Sequence, residues 1–257
     1  MLFRSLHNIE SVLHRRCAEV EPFPLSAMHR RFAANSIQFE NVWLPRFELL
    51  LVSSEEDTVF TRRFPTRTVV YPNTLPIREI RPSGPANQII FSGNFAYHPN
   101  RDAVRYLAGE IWPKIRKANP SVELVLLGKN PEPVREFAAG DPKVRLTGPV
   151  EDALEEIARS RVAIVPLRSG SGTRVKILEA WAAGVPVVST GIGAEGLGAC
   201  QGEHLLLADE PDRFASCVSR LLDSDDLRRA IAQRASELFS EKFTWPAGWK
   251  VLEQLGI

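Results

Sequence analysis

From Gln88 onward the sequence predicts a doubly wound α/β fold, in which helices cover both faces of one parallel sheet. Two observations support this class. The strongly apolar runs are continuous rather than alternating, as expected for strands that are covered on both faces. Helical patterns with short links separate these runs, which favours crossover connections between parallel strands. Ligands of such folds bind beyond the carboxyl ends of the strands, so we expect the functional site there.

The elements of this domain follow from hydrophobic patterning. Residues 89–93 form the first predicted strand, and the helix over 100–117 has apolar residues at 3–4 spacing from Val104 to Ile115. Asp152 is the expected N-cap of a short helix. The remaining predicted strands are 123–128, 144–146, 162–167, 185–190 and 204–208. The remaining predicted helices are 133–139, one between the loop 169–173 and Gly184, 212–222, 225–239 and 246–255.

Residues 1–82 predict only part of a second, Rossmann-like lobe together with a linker. We expect helices over 6–19, 26–44 and 55–62, and strands over 48–53 and 68–71. Two strands with three helices cannot cover both faces of a parallel sheet. We therefore expect a lobe that lacks its beginning, a strand 48–53 without neighbours, and self-association through that open edge. A segment rich in proline and polar residues then separates this lobe from a complete domain over 83–257.

Composition narrows the classes of partner. The net charge of +1 gives no electrostatic basis for binding nucleic acid. No apolar run approaches the roughly 20 residues of a membrane span, and the first residues lack the hydrophobic region of a signal peptide. The three cysteines are odd in number and lack metal-ligand spacing, which suits a reducing cytosol. We therefore expect a cytoplasmic protein.

The most informative segment is 169–180, with the sequence SGSGTRVKILEA. A small-residue loop that opens onto a helix brings unpaired N–H groups and the positive helix end to one point, which suits a phosphate. Arg174 and Lys176 add cations in the first turn, where the helix itself favours anions. Glu179 can accept two hydrogen bonds from a ribose diol. The pattern indicates a nucleotide-diphosphate sugar; the alternative is a glycine-rich turn with a solvated Lys176–Glu179 pair.

This segment, with the run AGVPVVST at 183–190, resembles the nucleotide-sugar signature of the family 4 glycosyltransferases. Residues 47–55, 90–93 and 144–150 are also similar to that family, and His7-Asn8-Ile9-Glu10 resembles its His-Asn-x-Glu stretch. The resemblance implies the GT-B architecture, in which two Rossmann-like lobes face each other across a cleft. The N-terminal lobe would take the acceptor and the C-terminal lobe the donor.

The resemblance also implies roles for particular residues. Glu179 matches the glutamate that holds the donor ribose, and residues 172–175 match the amides that face the diphosphate. The chain departs from the family at Ser171, where a glutamate is common, and at Asn94 and Pro99, where two cations are common. We expect Arg174 and Lys176 to replace those cations. The donor-binding residues predicted on this basis are Gly93, Asn94, Ser171, Gly172, Thr173, Arg174, Val175, Lys176, Glu179 and Glu195.

Two histidines and Glu195 have both a functional and a structural interpretation. His7 is a candidate catalytic residue that could touch the donor sugar or assist deprotonation of the acceptor. His98 lies after the first strand of the donor lobe and could meet phosphate. Glu195 follows a strand end and could approach the sugar. The alternatives are a structural histidine in the first two cases and a surface charge in the third.

The function expected from these residues and the resemblance is retaining transfer of a hexosyl group to a polysaccharide or glycolipid acceptor. The donor would be a nucleotide-diphosphate sugar, and neither a metal nor another cofactor is expected. Arginine pairs in the first 63 residues could favour the lipid phosphates of a membrane-bound acceptor, with peripheral contact at the inner face of the membrane; the alternative is that these pairs are solvated faces. The alternatives are a non-catalytic sugar-nucleotide binding module and a GT-B-shaped sugar-nucleotide epimerase.

Overall fold

A computed structural model describes residues 2–78 and 86–256, which form two parallel sheets. The first sheet has the order β1-β2-β3 and is built from the N-terminal residues. Its strands are β1 (Phe3–Leu6), β2 (Leu49–Val52) and β3 (Arg67–Val70), and the helices between them are α1 (Glu10–Val20), α2 (Leu25–Trp43) and α3 (Glu55–Thr61). A single turn of 3-10 helix, Leu44–Arg46, follows α2.

The N-terminal strand β1 corrects two expectations drawn from the sequence. A helix was expected from residue 6, but Phe3–Leu6 pairs in parallel with Leu49–Val52, and α1 begins only at Glu10. The strand has four residues, two of them polar and none of them buried, so it carries no continuous apolar run. The predicted strand 48–53 therefore has a neighbour on each side, because β2 lies between β1 and β3. All four residues of β2 are buried.

The second sheet has six parallel strands in the order β6-β5-β4-β7-β8-β9. Its strands are β4 (Gln88–Ser92), β5 (Glu123–Leu127), β6 (Val144–Gly148), β7 (Val162–Val165), β8 (Val187–Ser189) and β9 (Leu206–Leu207). The chain winds outward in one direction through β5 and β6, and then in the other through β7 to β9. The strand order therefore reverses between β4 and β7, where the crevice of a doubly wound sheet opens.

Helices on both faces bury this sheet, as its continuous apolar runs predict. The helices of this part of the chain are α4 (His98–Tyr106), α5 (Trp112–Ala118), α6 (Arg135–Ala139), α7 (Ala153–Ala158), α8 (Val175–Ala182), α9 (Gly191–Ala194), α10 (Pro211–Asp223), α11 (Asp225–Lys242) and α12 (Trp245–Gln254), the last of which lies outside this packing. Asp152 caps α7 as expected, because its side chain accepts from the N–H groups of Leu154 and Glu155. The helix predicted over 100–117 consists of α4 and α5 joined by a π turn at Leu107–Ile111.

The last helix returns toward the first sheet. Leu75 and Thr244 form a parallel bridge, and Trp245 donates its N–H to the Leu75 carbonyl at 3.1 Å. Gly248 of α12 packs closely against Thr74 and Tyr71. Residues 79–85, which include the predicted division between 82 and 83, lie outside the described residues. Within the described ranges, no helix is both long and apolar enough to cross a bilayer.

Candidate functional site

The carboxyl ends of the two sheets meet at the loop between β7 and α8, which we call the glycine loop (residues 169–174). Gly172 lies against the segment that follows β1: it has φ +71°, and a Cβ there would stand 2.0 Å from the His7 carbonyl oxygen. Only glycine combines this backbone conformation with so close an approach. The Thr173 hydroxyl donates to the Ser53 carbonyl at 3.1 Å, after β2. The glycine loop is therefore held by both halves of the chain.

Arg174 holds the glycine loop through hydrogen bonds to its backbone. It is the N-cap of α8 rather than a residue of the first turn, and its side chain is buried. Its guanidinium donates to the carbonyl oxygens of Ser171 and Gly172 and, more weakly, to that of Ile192. Burial lowers the pKa of this group. The sequence predicted that Arg174 would face phosphate; the structure directs most of its donors to the loop backbone instead.

The backbone N–H groups of the loop remain available. Among the described residues, no backbone or side-chain oxygen accepts a hydrogen bond from the N–H groups of residues 171–175. These donors lie where α8 begins, and the helix dipole adds partial positive charge there. An anion placed here would satisfy these donors.

Lys176, in the first turn of α8, reaches toward the end of β4. Its Nζ donates to Asn100 Oδ1 at 2.6 Å and lies 4.2 Å from the centre of the Phe91 ring. A Cβ at Gly93 would come within 3.1 Å of the same Nζ, so the glycine leaves room for it. Burial disfavours the ammonium, and the nearby Arg174 charge adds to that effect, which together lower the pKa of Lys176 to about 7.

Glu179 lies one turn further along α8 and is half-buried. Burial raises the pKa of its carboxyl group, and the Lys176 charge opposes this effect. A cavity of about 280 Å³ connects Glu179 with the glycine loop and the end of β4. The residues that line it are Asn8, Gly93, Tyr97, Pro99, Asn100, Leu167, Ser169, Gly170, Ser171, Thr173, Arg174, Val175, Lys176 and Glu179.

Several predicted site residues have structural partners outside this cavity. The Asn94 side chain accepts from Ala96 N–H at 3.0 Å and from Asn130 Nδ2 at 2.9 Å, so it shapes the turn after β4. The Ser171 hydroxyl donates to the Ile9 carbonyl at 3.3 Å. The Glu195 carboxylate pairs with Arg16. These three residues therefore hold the walls of the cleft in place.

The two candidate histidines also lie outside the cavity lining. His7 is exposed, and its Nδ1 lies 3.2 Å from Asn73 Oδ1. His98 Nδ1 lies 3.7 Å from the carboxylate of Glu21, which is buried, and burial lowers the pKa of this histidine. The backbone carbonyl of His7 lies against Gly172 of the glycine loop.

Sequence reasoning missed Asn8, Tyr97 and Arg16. With its amide nitrogen turned toward the loop, Asn8 donates to the Ser171 carbonyl at 2.9 Å. Tyr97 lines the cavity from the turn that precedes α4. Asn8 belongs to the stretch that carried the family resemblance, but nothing in the local sequence ties it to residues more than 160 positions away.

A further group lies apart from this cleft. Cys200, Glu203 and His204 bring their ligand atoms within 4.8 Å of one another, a proximity that the cysteine spacing did not suggest. His204 Nδ1 already accepts the N–H of Cys200 at 3.0 Å, which fixes the ring in this turn. Cys17 and Cys217 are buried, and burial raises the pKa of the Cys17 thiol to about 11, so both behave as core residues.

Comparison with known proteins identifies the class. The chain is 26% identical over 163 residues to an uncharacterized 44.6 kDa protein in the cps region of Klebsiella pneumoniae, covering 60% of this chain and 42% of that protein. It is 30% identical over 131 residues to a phosphatidyl-myo-inositol mannosyltransferase of Mycolicibacterium smegmatis, covering 49% of this chain and 34% of that enzyme. It thus spans less than half the length of these relatives.

The solved structure of Anabaena HepE in complex with UDP and glucose superposes with a TM-score of 0.72 at 19% identity, over 99% of this chain and 71% of that one. The fold is therefore an α/β fold of the GT-B type with Rossmann-like parallel sheets, as predicted. The sequence model of the family "Glycosyl transferases group 1" matches residues 86–224, just over half of the chain. The chain belongs to this family.

Proposed function

We propose that the chain is a retaining glycosyltransferase of family 4 that takes its sugar from a nucleotide-diphosphate donor. The observation that carries the proposal is a set of backbone N–H groups, at residues 171 and 173–175, that have no partner among the described residues and lie in a cavity that also holds Lys176 and Glu179. A cation, a helix start and a carboxylate within one cleft match the diphosphate and ribose of a nucleotide sugar.

Each group has a distinct task in this proposal. The amides of residues 172–175 and the ammonium of Lys176 bind the diphosphate and stabilise its charge as the bond to the sugar breaks. Glu179 accepts hydrogen bonds from the ribose hydroxyls. Arg174 holds the loop so that the amides keep their direction, which is preorganisation rather than direct contact. No metal is required, because fixed N–H dipoles and one cation supply the positive potential.

The relatives support the choice of substrates. The mycobacterial relative is by its name a mannosyltransferase that acts on phosphatidyl-myo-inositol, and HepE was solved with UDP and glucose. The Klebsiella relative is encoded in a cps region. We therefore propose a polysaccharide or lipid-linked acceptor. In this arrangement residues 1–82 serve the acceptor, and residues 83–257 bind the donor.

We further propose that the protein works at the cytoplasmic face of the membrane, with α2 as the contacting element. One stripe of this helix exposes large apolar side chains: Met28, Phe32, Phe39, Val42 and Trp43 are 39% to 62% exposed. Arg31, three residues after Met28, and Arg46, whose guanidinium lies over the Trp43 ring, flank this stripe and suit anionic headgroups. A groove of about 700 Å³ between β1 and α2 could take the apolar part of a lipid-linked acceptor.

The activity is tested by incubating the chain with a panel of UDP-, GDP- and ADP-sugars and a lipid-linked or polysaccharide acceptor. Release of nucleoside diphosphate together with a product that keeps the donor's anomeric configuration is the expected result, and Glu179→Gln should reduce its rate at donor concentrations that do not saturate the enzyme. Binding without turnover would instead indicate a sugar-nucleotide binding module. Formation of an epimer without acceptor would indicate an epimerase.

The membrane contact is tested with vesicles of neutral and of anionic lipid. We expect co-sedimentation with anionic vesicles, and its loss in Phe39→Asp. Sedimentation velocity without vesicles examines the same face. Concentration-dependent dimers that Phe39→Asp disrupts, without vesicle binding, would make this face a self-association surface instead.

A further inference from the structure

Arg16 of α1 is half-buried and joins the N-terminal half of the chain to two segments of the donor half. Its Nη1 donates to the Gly170 carbonyl at 2.8 Å. The same guanidinium forms a bidentate pair with the Glu195 carboxylate, at 2.5 and 2.8 Å. One side chain thus contacts the glycine loop and the segment that follows α9, which is 179 positions away in sequence.

These contacts complete a regular pattern in the loop. Three successive carbonyl oxygens accept from guanidinium groups: Gly170 from Arg16, and Ser171 and Gly172 from Arg174. A peptide carbonyl and the N–H of the same peptide point in opposite directions. Holding these carbonyls on the arginine side therefore keeps the following N–H groups directed away from the guanidiniums.

The ion pair with Glu195 fixes the position of the Arg16 guanidinium. The Arg16 and Glu195 side chains are 22% and 31% exposed, so solvent screens the pair only in part. A planar guanidinium matches a carboxylate in two parallel hydrogen bonds, which fixes direction as well as distance. Glu195 was a candidate to contact the sugar, but both of its oxygens are engaged by Arg16. The pair therefore anchors Arg16 while its Nη1 holds Gly170.

We propose that Arg16 is a positioning residue for the donor site, which orients the glycine loop from the opposite half of the protein with Glu195 as its anchor. The inference rests on the proposed function for its ligand, a nucleoside diphosphate. It also makes a statement about the free protein, because the loop contacts exist without ligand. Contact between the two halves would thereby promote donor binding.

The experiment compares Arg16→Gln and Arg16→Lys with Arg15→Gln, a matched control at an exposed neighbouring arginine. Calorimetric titration with UDP should show affinity about 10-fold lower for Arg16→Gln, the size of one charge-assisted contact. Arg16→Lys should be intermediate, because an ammonium cannot form the bidentate pair. Arg15→Gln should bind as the wild type does. Glu195→Gln should weaken UDP binding as a single substitution, but in the double variant it should add little to the effect of Arg16→Gln.

Hydrogen exchange of the free proteins separates this inference from the proposed function. Arg16→Gln should speed amide exchange in peptides that cover the glycine loop, while leaving those of β5 and β6 unchanged. Wild-type affinity in Arg16→Gln, additive effects of the two substitutions, or unaltered loop exchange would each overturn the positioning role. If the wild type binds no nucleoside diphosphate, the proposed function fails, and the exchange result alone decides whether Arg16 positions the loop.

Discussion

Lys176 should make the binding of a nucleoside diphosphate depend on pH. Its pKa of about 7 results from burial and from the neighbouring Arg174 charge, and its Nζ stands beside Gly93 and Asn100 at the cavity. A bound diphosphate favours the ammonium and raises this pKa, so binding takes up a proton when the free site is neutral. The affinity for the diphosphate therefore falls as the pH rises above 7.

The magnitude follows from the pKa. With a value of about 7, Lys176 is charged in about half of the molecules near pH 7 and in about one in a hundred near pH 9. An association constant that requires the ammonium therefore falls roughly 50-fold over this range. The diphosphate itself adds little, because the last ionisation of a phosphate group, near pH 6, is complete by then.

Calorimetric titration with UDP at several pH values, in two buffers of different ionisation enthalpy, measures both the affinity and the proton uptake. We expect close to one proton taken up per UDP near pH 9. Lys176→Arg is the matched control, because its guanidinium stays charged and should give a nearly flat profile. A wild type whose affinity does not change with pH, or an Arg variant with the same slope, would refute the reasoning.

Three other predictions test the site and the fold. Glu179→Ala should weaken UDP binding by about 2–4 kcal/mol, because two charge-assisted hydrogen bonds to the ribose are lost, with little change in the free energy of unfolding. Equal UDP affinities of the variant and the wild type in calorimetry would show that Glu179 is not part of the site. Gly172→Ala places Cβ 2.0 Å from a carbonyl oxygen at φ +71° and should cost about 1–3 kcal/mol in urea unfolding, whereas Gly140→Ala, with open space around it, should be tolerated. Glu40→Ala removes a buried carboxylate that accepts hydrogen bonds from the N–H and hydroxyl of Ser11 at 3.0 and 2.7 Å, so it should lower the free energy of unfolding. A decrease of less than about 1 kcal/mol would contradict the structural role of Glu40.

The sequence by itself determined most of the second sheet. Its strands are continuous apolar runs and its helices have regular apolar spacing, and both patterns are local consequences of burial on two faces. The segment 169–180 also indicated a phosphate-binding loop, because small residues before a helix start are a local signal. The structure contains strands and helices at these places, with ends that differ by a few residues.

Only the tertiary structure decided the arrangement of the first sheet and the partners of the site residues. β1 is four residues long and has no buried residue, so it becomes a strand through pairing with β2, 46 positions later. The direction of Arg174, the Arg16–Glu195 pair and the lowered pKa of Lys176 depend on how the chain packs around these groups. Their energies arise from desolvation and from contacts between segments far apart in sequence, which no local pattern encodes.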